Sequence, residues 1–492
     1  MLLLTPILIV PVLAGLLCLV VRPPRVMATL GVLAFGTTLG LGIALVHQVL
    51  ARGVVTEWHE FLCADALSAW MVLLISVVSL ATSLYAGRYF HRDVAAGVIT
   101  AGRVREFFVL TPLFGAGMFL VVLANNLGVM WAAVEATALT SVLLVALYNR
   151  RNSLEAAWKY VILGSLGLAL ALLGTIFVYA AACKNNPNSL PSFNWSYMMS
   201  IARQLDPHLL KLAFVFVFVG YGTKAGLAPM HTWLPDAHSE APSPTSAMLS
   251  GVSLKIALYA LLRFHILTTA CLGEGFSGYF LLGFGLFSML LAAPFILVQR
   301  NLKRMLAYSS LEHIGLICVG FALNSPVTIF GALLHMGYHA LTKPVLFFAA
   351  GNIHQTFHSL EFRVIGPGVL KVLPATVLLM GLAALAAIGL PPFGLFLSEM
   401  TIISGGLAVQ QTTVSVLIVV ALLASFCGIL QQLTRILLGE RRPGDHSSDA
   451  SAMDGVPAMA MLLGGLLFFS VWLPTPLLEL LHRAAGIIGG GR

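Results

Sequence analysis

The sequence predicts an all-α polytopic membrane protein, on three observations. Of its 492 residues, 59% are hydrophobic and 9% charged, whereas roughly a quarter of a soluble domain is charged. The mean hydropathy is +0.95. The apolar residues gather into runs of about 20, the length of helix that crosses a bilayer core about 30 Å thick. A chain in lipid must satisfy its backbone polar groups internally, so unbroken runs of this length are read as helices.

On that ruler there are about fourteen spans, near residues 2–21, 27–50, 63–87, 107–125, 126–147, 158–182, 210–231, 244–267, 278–298, 304–323, 327–351, 374–404, 411–434 and 455–476. The first run has no basic leader segment and is taken as span 1, not as a cleaved signal peptide. The polar stretches 183–209, 352–373 and 435–454 are loop-sized, so redox or nucleotide chemistry is assigned to partner subunits. Four segments organise the chain: an N-terminal three-helix part (1–105), two five-helix units (106–268 and 275–437), and a C-terminal loop with the last helix (438–492).

The net charge is +8, and its distribution accounts for it. With both termini outside and spans alternating, sixteen Lys and Arg residues fall on inner loops, among them Arg88, Arg150, Arg151, Arg300, Arg441 and Arg442. Six fall outside: Arg52, Lys184, Arg203, Lys211, Arg483 and Arg492. Such a bias marks the cytoplasmic side and is read as topology, not nucleic-acid binding. The six cysteines are scattered without a CxxC pair, which argues against a zinc or iron–sulfur site in this chain.

Two spans contain helix breakers. In span 7, Gly220, Gly222, Gly226 and Pro229 surround Lys224; in span 12, Gly389, Pro391, Pro392 and Gly394 precede Glu399. Broken helices at membrane depth line cavities, and breaks at matching positions point to inverted repeats. Both broken spans are fourth in their five-helix unit, and an odd number of spans forces the two units into opposite orientation.

Ionisable residues inside spans cost on the order of 2.5–3.5 kcal/mol each by insertion scales and are usually functional. At 1.5 Å per residue, Glu135 lies roughly 14 Å deep, Lys255 roughly 16 Å, His339 roughly 18 Å and Lys224 roughly 21 Å. A row at one depth could pass protons sideways. Glu135 is either a helix-bonding glutamate or the partner that keeps Lys224 charged. Lys224 either snorkels or loads and releases a proton, and Lys255 fits a middle relay. His335, His339 and Lys343 recur every fourth residue on one helix face. A metal reading of that H-x3-H needs ligands that nothing nearby in sequence supplies, so proton relay and hydrogen-bonded core histidines remain. Glu312 and His313 pose the same question nearer the inner surface. Glu399, in the outer half of span 12, is the candidate exit. The stretch HTWLPDAHSEAPSPTS, with His231, Asp236, His238 and Glu240, is either a proton-uptake funnel or a solvated loop held by its prolines.

Across about residues 105–440, the stretches NNLGVMWAAVEATALTS, FVGYGTKAGLAPMHTWLPDAHSEAPSPTSAMLSG, AYSSLEHIG, HALTKPVLFFAAGNI and GLPPFGLFLSE resemble the antiporter-like subunits of respiratory complex I, Mrp cation/proton antiporters and membrane-bound nickel–iron hydrogenases. The resemblance implies fourteen helices with two inverted five-helix repeats, broken helices 7 and 12, and proton translocation driven by an electron-transfer partner. It assigns Glu135, Lys224, Lys255 and Glu399 to the family's ionisable positions. A glutamate at 399 resembles the M-type subunit of complex I, and with span 14 so close to the last residue no L-type lateral helix is expected. The YSSLEHIG wording is most similar to component F of hydrogenase-4 or formate-hydrogenlyase-type complexes. What this implies is a non-catalytic subunit of a bacterial or archaeal inner-membrane complex, with no cofactor or metal of its own. Iron–sulfur clusters and a nickel–iron site would sit in a peripheral redox arm, beside further antiporter-like and channel subunits. The alternatives are complex I subunit M, an Mrp-type antiporter subunit, an inorganic-carbon uptake subunit, and a structural subunit that has lost transport.

Overall fold

A computed structural model describes residues 2–185, 191–437 and 455–490. Arg441, Arg442 and Arg492, which entered the charge bias, lie outside the described residues. In chain order the elements are α1 (Leu4–Val20), α2 (Pro24–Arg52), β1 (Val55–Glu57), β2 (Leu62–Ala64), α3 (Ala66–Ala95), α4 (Ala101–Leu123), α5 (Leu127–Val145), α6 (Arg151–Asn185), α7 (Trp195–Ser200), α8 (Pro207–Ala225), α9 (Trp233–Glu240), α10 (Ser243–Met248), α11 (Leu254–Leu272), α12 (Gly275–Val298), α13 (Leu302–Ala322), α14 (Pro326–Phe357), α15 (Phe362–Ile365), α16 (Pro374–Ala387), α17 (Gly394–Ala408), α18 (Thr412–Leu437), α19 (Val456–Val471) and α20 (Thr475–Ile488). Among the described residues ten helices are long and apolar enough to cross a membrane, α10 and α11 counting as one, and α1, α16 and α17 are shorter apolar helices.

Local chemistry sets the helix starts. Asp65, Asn126, Asp206 and Asn301 each accept a backbone N–H of the first turn, and Ser325 forms a reciprocal capping box with Thr328, satisfying donors that a helix leaves orphaned. Outside the membrane-spanning segments, the Lys184 ammonium bonded to Asp206, together with that residue's backbone hydrogen bonds, holds its carboxyl below the usual carboxylate range. Glycines let helices meet closely. A Cβ on Gly220 would lie 2.5 Å from the Gly167 carbonyl, and one on Gly315 would lie 2.6 Å from that of Gly285, the small-residue contact expected where lipid supplies no hydrophobic drive.

The structure departs from the sequence reading in several places. The stretch 231–246 is not a solvated loop: it forms α9 and the start of α10, with Trp233, Leu234, His238, Ser243 and Pro244 buried. Its prolines stand at the caps and first turns of these helices, where no backbone N–H is needed. A π-helical segment, Leu249–Ser253, joins α10 to α11, a third irregularity inside a predicted span. A two-stranded hairpin, β1–β2, was not expected from the sequence. The chain also carries one helix more than expected at its end: α20 bends 80° from α19, and its Arg483 donates to the Val49 carbonyl and to Glu479.

α1 starts beside Glu57, whose carboxylate accepts from the Leu3, Leu4 and Thr5 amides and from the Thr5 hydroxyl at 2.5–2.9 Å. The first described residues, the hairpin and α20 therefore share one face of the bundle.

Candidate functional site

Lys224 ends α8, which stops at Gly226 in the left-handed region (φ 78°). Its ammonium is buried and donates to the Tyr160 hydroxyl at 2.5 Å. Tyr160 in turn meets Ser141 Oγ at 2.8 Å and stacks on Trp233 at 4.2 Å, and the Trp233 indole donates to the Thr223 carbonyl. Glu135 is half-buried on α5. It and Lys224 act on each other through charge, but no ion pair within 4.0 Å joins them. The direct Glu135–Lys224 contact that the sequence suggested is replaced by a phenol, because α6 presents Tyr160 to the ammonium.

Lys255 is fully buried at the start of α11. Its ammonium donates to the Gly251 carbonyl at 2.5 Å and the Ser250 carbonyl at 3.3 Å, and lies 2.8 Å from His339 Nδ1. The π-helical turn is what makes this possible: its i→i+5 pattern opens carbonyls that a regular helix would hold closed.

From Lys255 a line of polar groups crosses α14, α13 and α17. The rings of His339 and His313 meet edge-on at 5.0 Å; His313 Nδ1 and His335 Nε2 are 2.9 Å apart; His335 Nδ1 lies 2.9 Å from Ser398 Oγ, next to Glu399. His313 Nε2, His339 Nε2, Glu312 Oε1 and Glu399 Oε1 are buried without a partner. Unpaired buried polar atoms in such density mark a place for water or a transient proton. Glu312 and His313, expected near the inner surface, lie fully inside, because α13 is packed on every side and carries them into the bundle. The expected face of His335, His339 and Lys343 does not act as one unit. The two histidine rings are 6.5 Å apart and turn to different partners, and Lys343 donates to Ser309 Oγ at 2.7 Å and the Leu306 carbonyl at 3.3 Å.

Glu399 reaches back into the break between α16 and α17. Gly389 there has φ 68°, and a Cβ on it would sit 2.0 Å from Glu399 Oε2. Only a glycine leaves room for the carboxylate.

The four residues proposed for proton uptake part company. Asp236 is held by Lys159 at 3.0 Å and Arg304 at 2.5 Å on the surface. Glu240, on the same helix, is half-buried. His231 is buried near Tyr308 with Nδ1 unpaired. His238 stacks on Phe347 at 5.0 Å, and both its nitrogens, with Ser243 Oγ and Thr245 Oγ1, are buried and unpaired.

Among the described residues, no hydrogen bond joins the Lys224 cluster to the Lys255 cluster, and the fully buried Leu234 and Leu254 stand against Gly226, two residues after Lys224.

Sequence reasoning missed Tyr160, Ser398 and a buried clamp in which Arg263 binds Asp65 at 2.7 and 2.8 Å, Tyr259 and Ser68. A tyrosine or serine in an apolar span is too common to stand out. Asp65 falls at the start of span 3 and was not singled out.

A family profile described as NADH:quinone oxidoreductase/Mrp antiporter, TM matches residues 124–425. The chain belongs to this family. It is 38% identical over 388 residues to the hydrogenase-4 component F homolog of Methylacidiphilum infernorum, covering 79% of this chain and 81% of that one. To NADH-quinone oxidoreductase subunit N of Desulforudis audaxviator it is 32% identical over 405 residues, covering 81% and 77%. Its fold is similar to a chain of the Mrp complex from Dietzia sp. DQ12-45-1b, with TM-score 0.84 at 22% identity over 98% of this chain and 96% of that chain. A chain of respiratory complex I from Thermus thermophilus matches with TM-score 0.82 at 22% identity over 99% of each. Membership in this family agrees with the resemblance read from the motifs, and makes the chain a multi-pass membrane protein.

Proposed function

We propose that this chain is a proton-translocating, antiporter-like subunit of a redox-driven complex of the membrane-bound nickel–iron hydrogenase or formate-hydrogenlyase type. One observation carries the reading: the buried line Lys255, His339, His313, His335 and Ser398 ending at Glu399, in which the stated separations are 2.8–2.9 Å except for one ring-to-ring step of 5.0 Å. Neutral imidazoles accept a proton on one nitrogen and give it up from the other, so a proton leaving the Lys255 ammonium has an acceptor at each position. Rotation of a ring or one water spans the His339–His313 step. Glu135 and Lys224 act as the switch of the first half, Lys343 and Glu312 as flanking charge, and His231 and His238 as the uptake side.

The reading includes two inverted five-helix repeats within a fourteen-span bundle, with helices 7 and 12 broken where α8 gives way to α9 and α16 to α17. It also includes both termini facing outward from a bacterial or archaeal cytoplasmic membrane. Iron–sulfur and nickel–iron chemistry belongs to a peripheral arm of partner subunits. A place in a complex I-type NADH-quinone oxidoreductase is the second reading, favoured by the 32% identity to a subunit N.

Isolating the intact complex separates the two readings: nickel in the preparation supports the hydrogenase type, and NADH-dependent quinone reduction without nickel supports the other. In vesicles carrying that complex, Lys255→Ala is expected to remove substrate-driven proton uptake while the complex still assembles. Full pumping by that variant would remove the relay.

A further inference from the structure

His313 on α13, His335 on α14 and Glu399 on α17 are all buried, and one ligand atom from each lies within 4.8 Å of the other two. The H-x3-H pair visible in the sequence does not supply this cluster, since His339 turns away to Lys255. Three helices bring the set together instead. We propose that His313, His335 and Glu399 form a binding site for a borderline divalent transition cation such as Zn2+ or Co2+, and that an ion held there blocks the relay.

The hydrogen bonds fix which atoms are offered. The Ser398 hydroxyl donates to the Leu395 carbonyl at 2.8 Å, so its oxygen accepts from His335 Nδ1–H at 2.9 Å. His335 Nε2 therefore carries a lone pair, and the proton in its 2.9 Å contact with His313 Nδ1 comes from His313. A cation replaces that shared proton. His313 remains neutral by carrying its hydrogen on Nε2, which has no partner to lose. In a tetrahedral site with bonds of about 2.0–2.1 Å, neighbouring ligand atoms stand roughly 3.3 Å apart. The two nitrogens need only separate by a few tenths of an ångström, and the Glu399 carboxylate, whose Oε1 is buried and unpaired, closes in from within 4.8 Å.

The donor set selects the ion class. Two imidazoles and a carboxylate suit zinc and its neighbours, whereas Mg2+, Ca2+ and alkali ions prefer oxygen alone. Glu399 supplies one negative charge against the two of a divalent ion, and Glu312, which also interacts with Lys343, lies close enough to act on Glu399. The hydroxyl of Ser398 orients His335 in the manner of hydrogen-bonded metal-binding histidines.

The site itself does not depend on proton transport; only the block rests on the proposed function. The purified complex in lipid nanodiscs is titrated with Co2+, whose visible absorption reports tetrahedral nitrogen and oxygen ligands, and the ion is then displaced with Zn2+. The expected result is one Co2+ per copy of this chain with a tetrahedral band, lost in both His335→Asn and Glu399→Gln and unchanged in the control His208→Asn. Ser398→Ala should weaken binding by about 10–100-fold. If either ligand variant fails to assemble, His313→Gln gives the same reading. No tetrahedral band in the unaltered complex, or a band that survives the ligand substitutions, overturns the site. Binding with no slowing of proton uptake by Zn2+ in vesicles keeps the site and overturns the block, and with it the relay role of these histidines.

Discussion

Two regions of the bundle hold their buried charges in different ways. In the first, the Lys224 ammonium is tied to a single phenol, Tyr160, and its carboxylate partner Glu135 stands apart on a half-buried face. In the second, polar atoms follow one another from Lys255 to Ser398, with unpaired nitrogens and oxygens along the way. A lysine that can choose between a phenol and a carboxylate is a two-position device. A file of imidazoles is a conductor. Within the proposed function, the first region gates and the second conducts.

Cutting the conductor should have the largest effect. His339→Ala removes the group between Lys255 and His313, and proton uptake in vesicles is expected to fall at least about 100-fold, the low end of what a positioned proton-transfer group contributes. Glu135→Ala leaves Lys224 bonded to Tyr160 and should cost about tenfold, or about 1.4 kcal/mol in barrier. Equal losses in the two variants would erase the distinction between gate and conductor.

A matched pair of glycines sharpens the comparison. Gly226 and Gly389 both adopt positive φ, so alanine at either should cost roughly 1–2 kcal/mol in backbone strain. At 226 the new Cβ meets the flexible tip of Leu234 at 2.5 Å; at 389 it meets Glu399 Oε2 at 2.0 Å. Thermal melting of the two variants should drop by similar amounts, while proton uptake falls roughly tenfold further in Gly389→Ala, again about 1.4 kcal/mol. A transport loss no greater than in Gly226→Ala would show that the cradle around Glu399 is structural only.

These contrasts mark where the sequence was readable and where it was not. Charged residues in apolar runs stand out because lipid penalises them, so Glu135, Lys224, Lys255, Lys343 and Glu399 could be singled out one by one as candidates, and Gly389, Pro391 and Pro392 lie in the gap between α16 and α17. What linear spacing hides is which helices meet. The i, i+4 rule paired His335 with His339, yet the fold pairs His335 with His313 and His339 with Lys255. The π-helical turn at Leu249–Ser253 carries no breaker stronger than Gly251, and the prolines of 231–246 look the same in a loop as in the first turn of a helix. Tyr160 is one of eleven tyrosines and becomes conspicuous only once α6 lies against α8.

Tyr160→Phe tests the gate directly. The change keeps the ring stacked on Trp233 and removes only the hydroxyl, leaving Lys224 without that acceptor. Hydrogen bonds to charged groups contribute about 1.5–3 kcal/mol, but Glu135 is available to take over, so the expected loss is a few-fold in uptake rate, together with a stronger dependence on Glu135. In the Tyr160→Phe background, Glu135→Gln should be much more damaging than in the native chain. Additive effects would mean that phenol and carboxylate do not compete for the ammonium.

The smallest effect is expected at the start of α1, where α1 packs on α4 and α4 on α5, the helix of Glu135. Burial alone would raise the Glu57 carboxyl, but its hydrogen bonds from Thr5, Leu4 and Leu3 outweigh burial and hold it below the ordinary glutamate value. The sign follows from that direction: the stabilisation is complete above the unfolded-state value of about 4.3 and is lost as pH falls through the lower folded value. A carboxylate at a helix N-terminus contributes about 0.3–1 kcal/mol. Protection of the Leu3–Thr5 amides from exchange, taken relative to the intrinsic rate at each pH, should therefore drop a few-fold in Glu57→Gln at neutral pH, and in the native chain only as pH falls below the ordinary glutamate range. Proton uptake at neutral pH should not change, because the start of α1 supports the gating region without touching Lys224 or Tyr160. A fall in uptake in Glu57→Gln would mean that the position of α5, and with it the reach of Glu135, depends on how firmly α1 is pinned.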